Sequence, residues 1–228
     1  MKKIVLLSVL VLLCASVLAQ VSFGIKGGYV FSDLEINNKT AAGNTHSGGL
    51  TAWHGEMIVN IPLGAPHIYL QPSVGYLRKG ATFSGPPETN GAATGQGQKL
   101  ALDYVEMPVN FVYKVPLSFA SLAFGAGPYL AYGMFGRYAY YLSDGNKATG
   151  YTKKVHFSDN YGSNNAAVNM HPWDMGLNGM ISLEFNNSLV IGANYSLGLT
   201  DINRAYFGEV KNRYIGLSIG FLFNREDY

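Results

Sequence analysis

Between Val115 and Phe135 the chain carries no charged residue, a run long enough to cross a bilayer as a helix. Yet it contains Pro116 and Pro128, with Gly125, Gly127 and Gly133 between and beyond them. Proline removes a helical hydrogen bond and clashes with the preceding turn, and glycine weakens a helix through backbone entropy. The same residues sort cleanly by a period of two. Leu122, Phe124, Leu130, Tyr132 and Met134 share one face, and Ser121, Ala123, Gly125, Gly127, Ala131 and Gly133 share the other. A bulky apolar face toward lipid and a small face toward a crowded lumen are what a strand of a closed transmembrane barrel requires.

That alternation recurs, and it predicts strands near 21–33, 50–61, 67–82, 100–113, 120–141, 173–185, 189–199 and 212–223. In the last, Ile215, Leu217, Ile219, Phe221 and Phe223 alternate with Tyr214, Gly216, Ser218 and Gly220. In the second, Trp53, Met57, Val59 and Ile61 oppose His54, Glu56 and Asn60, and in the seventh Leu189, Ile191, Ala193, Tyr195 and Leu197 oppose Gly192, Asn194 and Ser196. The expected fold class is all-β: a closed, antiparallel, up-and-down transmembrane barrel of about eight strands.

Connections alternate in length. Short turns are expected at Pro62–Pro66, Lys114–Phe119 and Asn186–Ser188, and long ones follow the odd strands, an asymmetry that puts the long loops outside and both termini in the periplasm. Gly85–Gln98 and Ser143–Asn169, rich in small and polar residues, read as loops without a packed-core pattern. Aromatics near strand ends suggest two interfacial girdles: Trp53, Tyr76, Tyr138, Tyr140, Tyr141 and Trp173 outside, and Phe23, Phe111, Tyr113, Phe185 and Phe223 on the periplasmic side. Pro72, Pro108 and Pro128 fall inside strands of a barrel without edges, so bulges are expected at them.

Ahead of the barrel, Met1-Lys2-Lys3, an apolar stretch from Ile4 to Leu13 and the small residues around Val17-Leu18-Ala19 read as a secretory signal peptide over 1–19, leaving 20–228 as the barrel domain. The alternatives are a retained anchor or lipidation at Cys14, against which Val11-Leu12-Leu13 lacks the small residue usual beside a lipidated cysteine. Cys14 is the only cysteine, so a mature chain would have no disulfide, thiolate metal site or cysteine nucleophile. Removing Lys2 and Lys3 from 16 basic residues would leave 14 against 14 acidic ones, which gives no electrostatic reason to expect nucleic acid. Charged residues are only 13% of the chain, about half the usual share for soluble proteins, while Gly 28, Tyr 16 and Phe 12 are plentiful.

Asn60-Ile61-Pro62-Leu63, Tyr69-Leu70-Gln71-Pro72, Tyr76-Leu77-Arg78-Lys79-Gly80, Tyr104-Val105-Glu106-Met107-Pro108, Gly125-Ala126-Gly127-Pro128-Tyr129 and Gly198-Leu199-Thr200-Asp201-Ile202 follow one another along the chain. Taken in that order, these segments resemble the PorT-like outer-membrane β-barrel family of Bacteroidetes. The resemblance spans nearly the whole mature chain and includes the three strand prolines. It implies an outer-membrane barrel of the cell envelope, with outer-membrane lipid around it and other envelope or secretion proteins as partners, since some PorT-like proteins assist type IX secretion. It supplies no catalytic residue.

Chemistry-bearing patterns are sparse. Gly216-Leu217-Ser218-Ile219-Gly220 matches the nucleophile elbow, but that motif needs a strand-to-helix turn and a later histidine, and only eight residues follow Gly220, none of them histidine. His54 with Glu56, and His171 with Asp174, are two-residue pairs, short of the three or four convergent ligands of a zinc site. No catalytic, cofactor-binding or metal residue is assigned. Lys26, Glu56, Gln71, Lys79, Glu106, Asn110, Asn178, Glu184 and Asn194 fall in the inward phase of their strands. Charges enclosed in a narrow barrel are costly unless paired, so these nine are expected to form a polar lumen network, with Lys26 beside Glu56 and Glu106 as its fallback partner. The reading is a noncatalytic structural or surface-interaction scaffold. Its alternatives are a soluble lipocalin-like barrel with the aromatics inside around an apolar ligand, and an outer-membrane enzyme.

Overall fold

The computed structural model describes residues 21–37, 47–83, 94–144, 147–158, 168–203 and 209–223; residues 1–19 lie outside them. Eight strands close a ring: β1 (Ser22–Asn37), β2 (Ser47–Pro62), β3 (Ile68–Phe83), β4 (Thr94–Pro116), β5 (Ala120–Asp144), β8 (Trp173–Phe185), β9 (Leu189–Gly198) and β10 (Glu209–Phe223). Each pairs antiparallel with its neighbours in chain order, and β1 pairs with β10 from Phe23↔Phe223 to Asn37↔Glu209. Every barrel strand thus has a neighbour on both sides along its inner part.

Period two decides the faces. Phe23, Ile25, Tyr29 and Phe31 of β1 are exposed, as are Ile215, Leu217, Ile219, Phe221 and Phe223 of β10, whereas Val30, Ser32, Asn212 and Tyr214 are buried. The bulky face points outward and the small and polar face inward. A lipocalin-like carrier needs the reverse, so that alternative is set aside. No helix among the described residues is long and apolar enough to cross a membrane, which says nothing of strands.

The strands run further than the apolar alternation does. β1 continues to Asn37, β4 begins at Thr94 within the expected Gly85–Gln98 loop, and β5 continues to Asp144. Ser143–Asn169 is not strand-free either: it holds β6 (Lys147–Phe157) and the first residues of β7 (Val168–Met170). Beyond Tyr132, β5 exchanges β8 for β6 as its neighbour. In β4 Gln98 and Lys99, and in β6 Lys153 and Lys154, put polar residues on both faces, and in β1 Glu35 breaks the outward apolar run while Leu34 stays inward, so the hydrophobic period fades while backbone pairing continues. Lys114, expected in a turn, is the inward end of β4, and the turn is 117–119.

The prolines produce no bulge. Register is unbroken past all three, and the shifts lie elsewhere, at Gly49/His54, Gly95/Gln98 and Asp103/Tyr104. Each proline instead falls where one ladder skips two pairs: Pro72 between Ile58↔Ser73 and Ile61↔Leu70, Pro108 between Pro72↔Val109 and Gly75↔Glu106, Pro128 between Pro108↔Tyr129 and Phe111↔Ala126. A missing N–H removes a hydrogen bond without requiring an extra residue, and pairing on the strand's other side holds the register.

Candidate functional site

The lumen is filled, in two layers of different chemistry. At the end with the long connections it is apolar: Val30, Leu34, Leu77, Ala81, Leu100 and Leu102 point inward and pack with Val155, Met170 and Ile202. The last three come from β6, β7 and the segment after β9, held to one another and to β5 by the backbone bonds Ser158 N–H to Met170 O, His171 N–H to Ile202 O and Gly133 N–H to Pro172 O. Gly133 and Gly136 of β5 make the seat. A Cβ at Gly133 would lie 2.4 Å from the Phe157 ring, and one at Gly136 would lie 2.6 Å from Val155.

Directly against this plug sits Lys79, fully buried. Its Nζ lies 2.6 Å from Glu106 Oε2 and 3.0 Å from Asp174 Oδ2, with the Tyr129 ring at 4.5 Å, Tyr104 at 5.1 Å and Tyr214 at 5.3 Å. Glu106 Oε1 accepts from the Tyr214 hydroxyl at 2.5 Å, and Asp174 accepts from Asn212 Nδ2 at 2.9 Å and the Tyr129 hydroxyl at 3.3 Å. Strands β3, β4, β5, β8 and β10 thus meet at one ammonium. Removal from water penalises each charge heavily, and only this density of partners offsets it.

Next comes a polar middle. Lys26 and Glu56 are directly opposed in register, 2.9 Å apart between Nζ and Oε1, and Ser73 Oγ donates to Glu56 at 3.2 Å. Asn110, Asn178, Asn194 and Ser196 form a chain: Asn178 Nδ2 donates to Asn110 Oδ1 at 3.2 Å, while Asn194 Nδ2 and Ser196 Oγ donate to Asn178 Oδ1 at 3.2 and 2.8 Å. Between Lys26, Glu56, Asn110 and Asn194 lies a cavity of about 40 Å³, enough for a few waters.

At the short-turn end, Lys114 Nζ meets Glu184 Oε2 at 2.7 Å and the Tyr69 ring at 4.5 Å. Gln71 Nε2 donates to Asn60 Oδ1 at 2.6 Å, and Asn60 Nδ2 to Ser22 Oγ at 3.0 Å. The structure therefore distributes the nine sequence-derived lumen residues over three clusters rather than one. Lys79 and Glu106 share the upper one with Asp174, and Glu106 serves Lys79 instead of Lys26. Lys26 and Glu56, with Asn110, Asn178 and Asn194, occupy the middle. Gln71 and Glu184 sit at the short-turn end.

Sequence reasoning missed Asp174 and Lys114 as lumen residues because both lie at strand ends, where phase is hard to count. It missed the apolar plug although β1 carries the signal: after Gly28 its inward phase turns to Val30 and Leu34. Tyr138 also changes place. Its hydroxyl donates to Gln98 Oε1 and its ring packs against the plug, so it is no girdle residue. Trp53 and Trp173 are exposed, as are Phe23, Phe111, Tyr113 and Phe223; the side chains of Tyr140 and Tyr141 lie outside the described ones.

The catalytic look-alikes dissolve into the wall. Ser218 is mid-strand in β10, opposite Gly28 and Gly192, not on a strand-to-helix turn. His54 Nε2 faces Leu217 O at 3.4 Å, and His171 Nδ1 accepts from Trp173 N–H at 3.0 Å. Among the described residues no group of three or more His, Cys, Asp or Glu is placed to hold a metal.

The chain is similar to several solved outer-membrane proteins. The attachment invasion locus protein Ail of Yersinia pestis is 12% identical over 89% of this chain and 98% of that one, with a TM-score of 0.39. Neisserial surface protein A is 10% identical over 88% and 97%, with a TM-score of 0.41. OprG of Pseudomonas aeruginosa is 12% identical over 89% and 95%, with a TM-score of 0.37. No curated protein matches the chain. The family model described as the outer membrane protein beta-barrel domain matches residues 17–204, and the eight-stranded barrel with its apolar wall belongs to that family.

Proposed function

We propose that this outer-membrane barrel is a noncatalytic scaffold, sealed to solutes, that presents its longer connections at the cell surface. In this reading residues 1–19 are removed on export, both termini are periplasmic, and the barrel is a PorT-like one that interacts with other envelope proteins, including an accessory role in protein secretion. Orientation is supported by the connections: 63–67, 117–119 and 186–188 are short and share the end where β1 begins and β10 ends. The polar lumen network of Lys26, Glu56, Gln71, Lys79, Glu106, Asn110, Asn178, Glu184 and Asn194 is then a structural filling, not a conduction path.

The observation that carries this reading is the double closure of the lumen. Lys79 beneath the apolar plug and Lys114 with Glu184 at the short-turn end are buried on both sides of a cavity of only about 40 Å³. Eight strands leave an interior that side chains fill. The test is reconstitution of the purified barrel in planar bilayers and in sugar-loaded liposomes. No steady conductance and no swelling are expected. Ohmic single channels, or swelling above empty liposomes, would overturn the sealed scaffold. Replacing the long connections should in turn leave the heat-sensitive folded band on detergent gels intact while abolishing capture of envelope partners.

A further inference from the structure

Outside the girdle, the outward face of the barrel is electrically lopsided. On β4, β5 and β6, Arg137 stands directly opposite Lys154, and Lys99 is opposite Ala139, two residues further along β5 on the same face. All three side chains are exposed. Like charges directly across a ladder repel, and among the described residues no carboxylate forms an ion pair with any of the three. Asp103, opposite Phe135, lies on the same face. Both of its oxygens are taken by Arg78, with Nε at 2.6 Å and Nη2 at 3.1 Å. Arg78 is itself 40% exposed.

Across the barrel the rim is balanced. Arg213 meets Asp33 at 3.0 Å, Lys211 meets Glu209 at 3.3 Å, and Glu35 stands opposite Lys211. Among the described residues, one wall thus sets Arg78, Lys99, Arg137 and Lys154 against Asp103, and on the other Arg213 and Lys211 are each paired with a carboxylate. The basic wall begins where the apolar wall ends: Phe135 is 63% exposed, and the edge-to-face pair Tyr132–Trp173 lies just below it on β5 and β8. Aromatic residues of this kind mark headgroup level in a bilayer. A charged cluster one step beyond them stands among the headgroups.

We propose that the outward face formed by Arg78, Lys99, Arg137 and Lys154 docks the phosphorylated headgroup of an outer-leaflet glycolipid. An anion between Arg137 and Lys154 removes the repulsion that the protein alone leaves standing. Guanidinium binds phosphate through paired N–H donors and ammonium binds it as a point charge, so the two together hold one phosphate without tight geometric demands. The girdle beneath sets the height at which the acyl chains enter the lipid.

The test is the temperature at which the folded gel band disappears, read for the full-length barrel in zwitterionic detergent micelles. The micelles contain no additive, a bisphosphorylated acylated disaccharide, its dephosphorylated counterpart, or inorganic phosphate at the same concentration. A rise with the phosphorylated lipid alone is expected. R137Q/K154Q is expected to weaken the apparent affinity at least tenfold, whereas K211Q on the balanced wall leaves it unchanged. In micelles without additive, R137Q/K154Q is expected to match or exceed the wild type in stability, because a repulsion has been removed. If the double variant does not fold, K99Q and the wild-type comparison of the two lipids carry the test. Equal shifts with both lipids, a shift reproduced by inorganic phosphate, or undiminished affinity in R137Q/K154Q would each overturn the proposal.

Discussion

Lys79 of β3 and Asp174 of β8 are 95 residues apart in sequence and 3.0 Å apart in the lumen, joined beneath an apolar plug that covers both. Because Glu106 shares the same ammonium, removing the lysine leaves two buried carboxylates facing each other. Lys79→Met is expected to destabilise the barrel by about 3–5 kcal/mol. Adding E106Q and D174N to it should recover most of that loss. Urea midpoints of the refolded barrel in detergent measure both, and a triple variant no better than Lys79→Met would show that packing, not charge, holds the site.

Lys114 and Glu184 form the lower seal at 2.7 Å with both side chains nearly fully buried. Each partner alone is a stranded charge, so Lys114→Met and Glu184→Gln should each destabilise. The double variant should be no worse than the more harmful single one, with a coupling of about 1–3 kcal/mol in a double-mutant cycle. Additive effects in that cycle would mean the pair is not coupled.

Gly133 is the seat of the plug, with the Phe157 ring where its Cβ would be. Gly133→Ala should cost about 1–3 kcal/mol through overpacking. F157A/G133A should recover part of it, since the ring and not the strand is what the methyl meets. Protease cleavage after Lys153 or Lys154 on folded protein reads the same change independently, because a displaced plug loosens β6.

Ile219 faces outward between Gly27 and Ile191 in the register. Ile219→Arg is expected to cost about 2–4 kcal/mol if that face is at the bilayer midplane. Ser218→Ala, one residue away on the lumen face, should change stability little. The contrast is read by folding yield into lipid vesicles, and equal tolerance at both positions would contradict the assignment of faces.

Much of the wall was legible because one physical rule, that successive strand side chains point to opposite sides, acts residue by residue. Ile215, Leu217, Ile219 and Phe221 against Tyr214, Gly216, Ser218 and Gly220 needed no partner strand to be read. The directly opposed Lys26 and Glu56 followed from counting in from a short connection. The limits were also physical. Pro72, Pro108 and Pro128 revealed where a hydrogen bond is lost, but register is held by neighbours on the other side of each strand, which a linear reading does not see. β6 went unread because its partner, the outer part of β5, has no apolar period to match.

What the sequence by itself determined is the class of fold, the membrane-facing side of the eight barrel strands along their apolar runs and the need for inward charges to find partners, because all three follow from local alternation and the cost of burying charge. What only the tertiary structure decided is which charges meet. Glu106 went to Lys79 rather than Lys26, Asp174 joined them from a strand end, and Val155, Met170 and Ile202 closed the mouth. Those choices depend on which inward side chains barrel closure brings face to face across the lumen, a geometry that belongs to the ring and to no single strand.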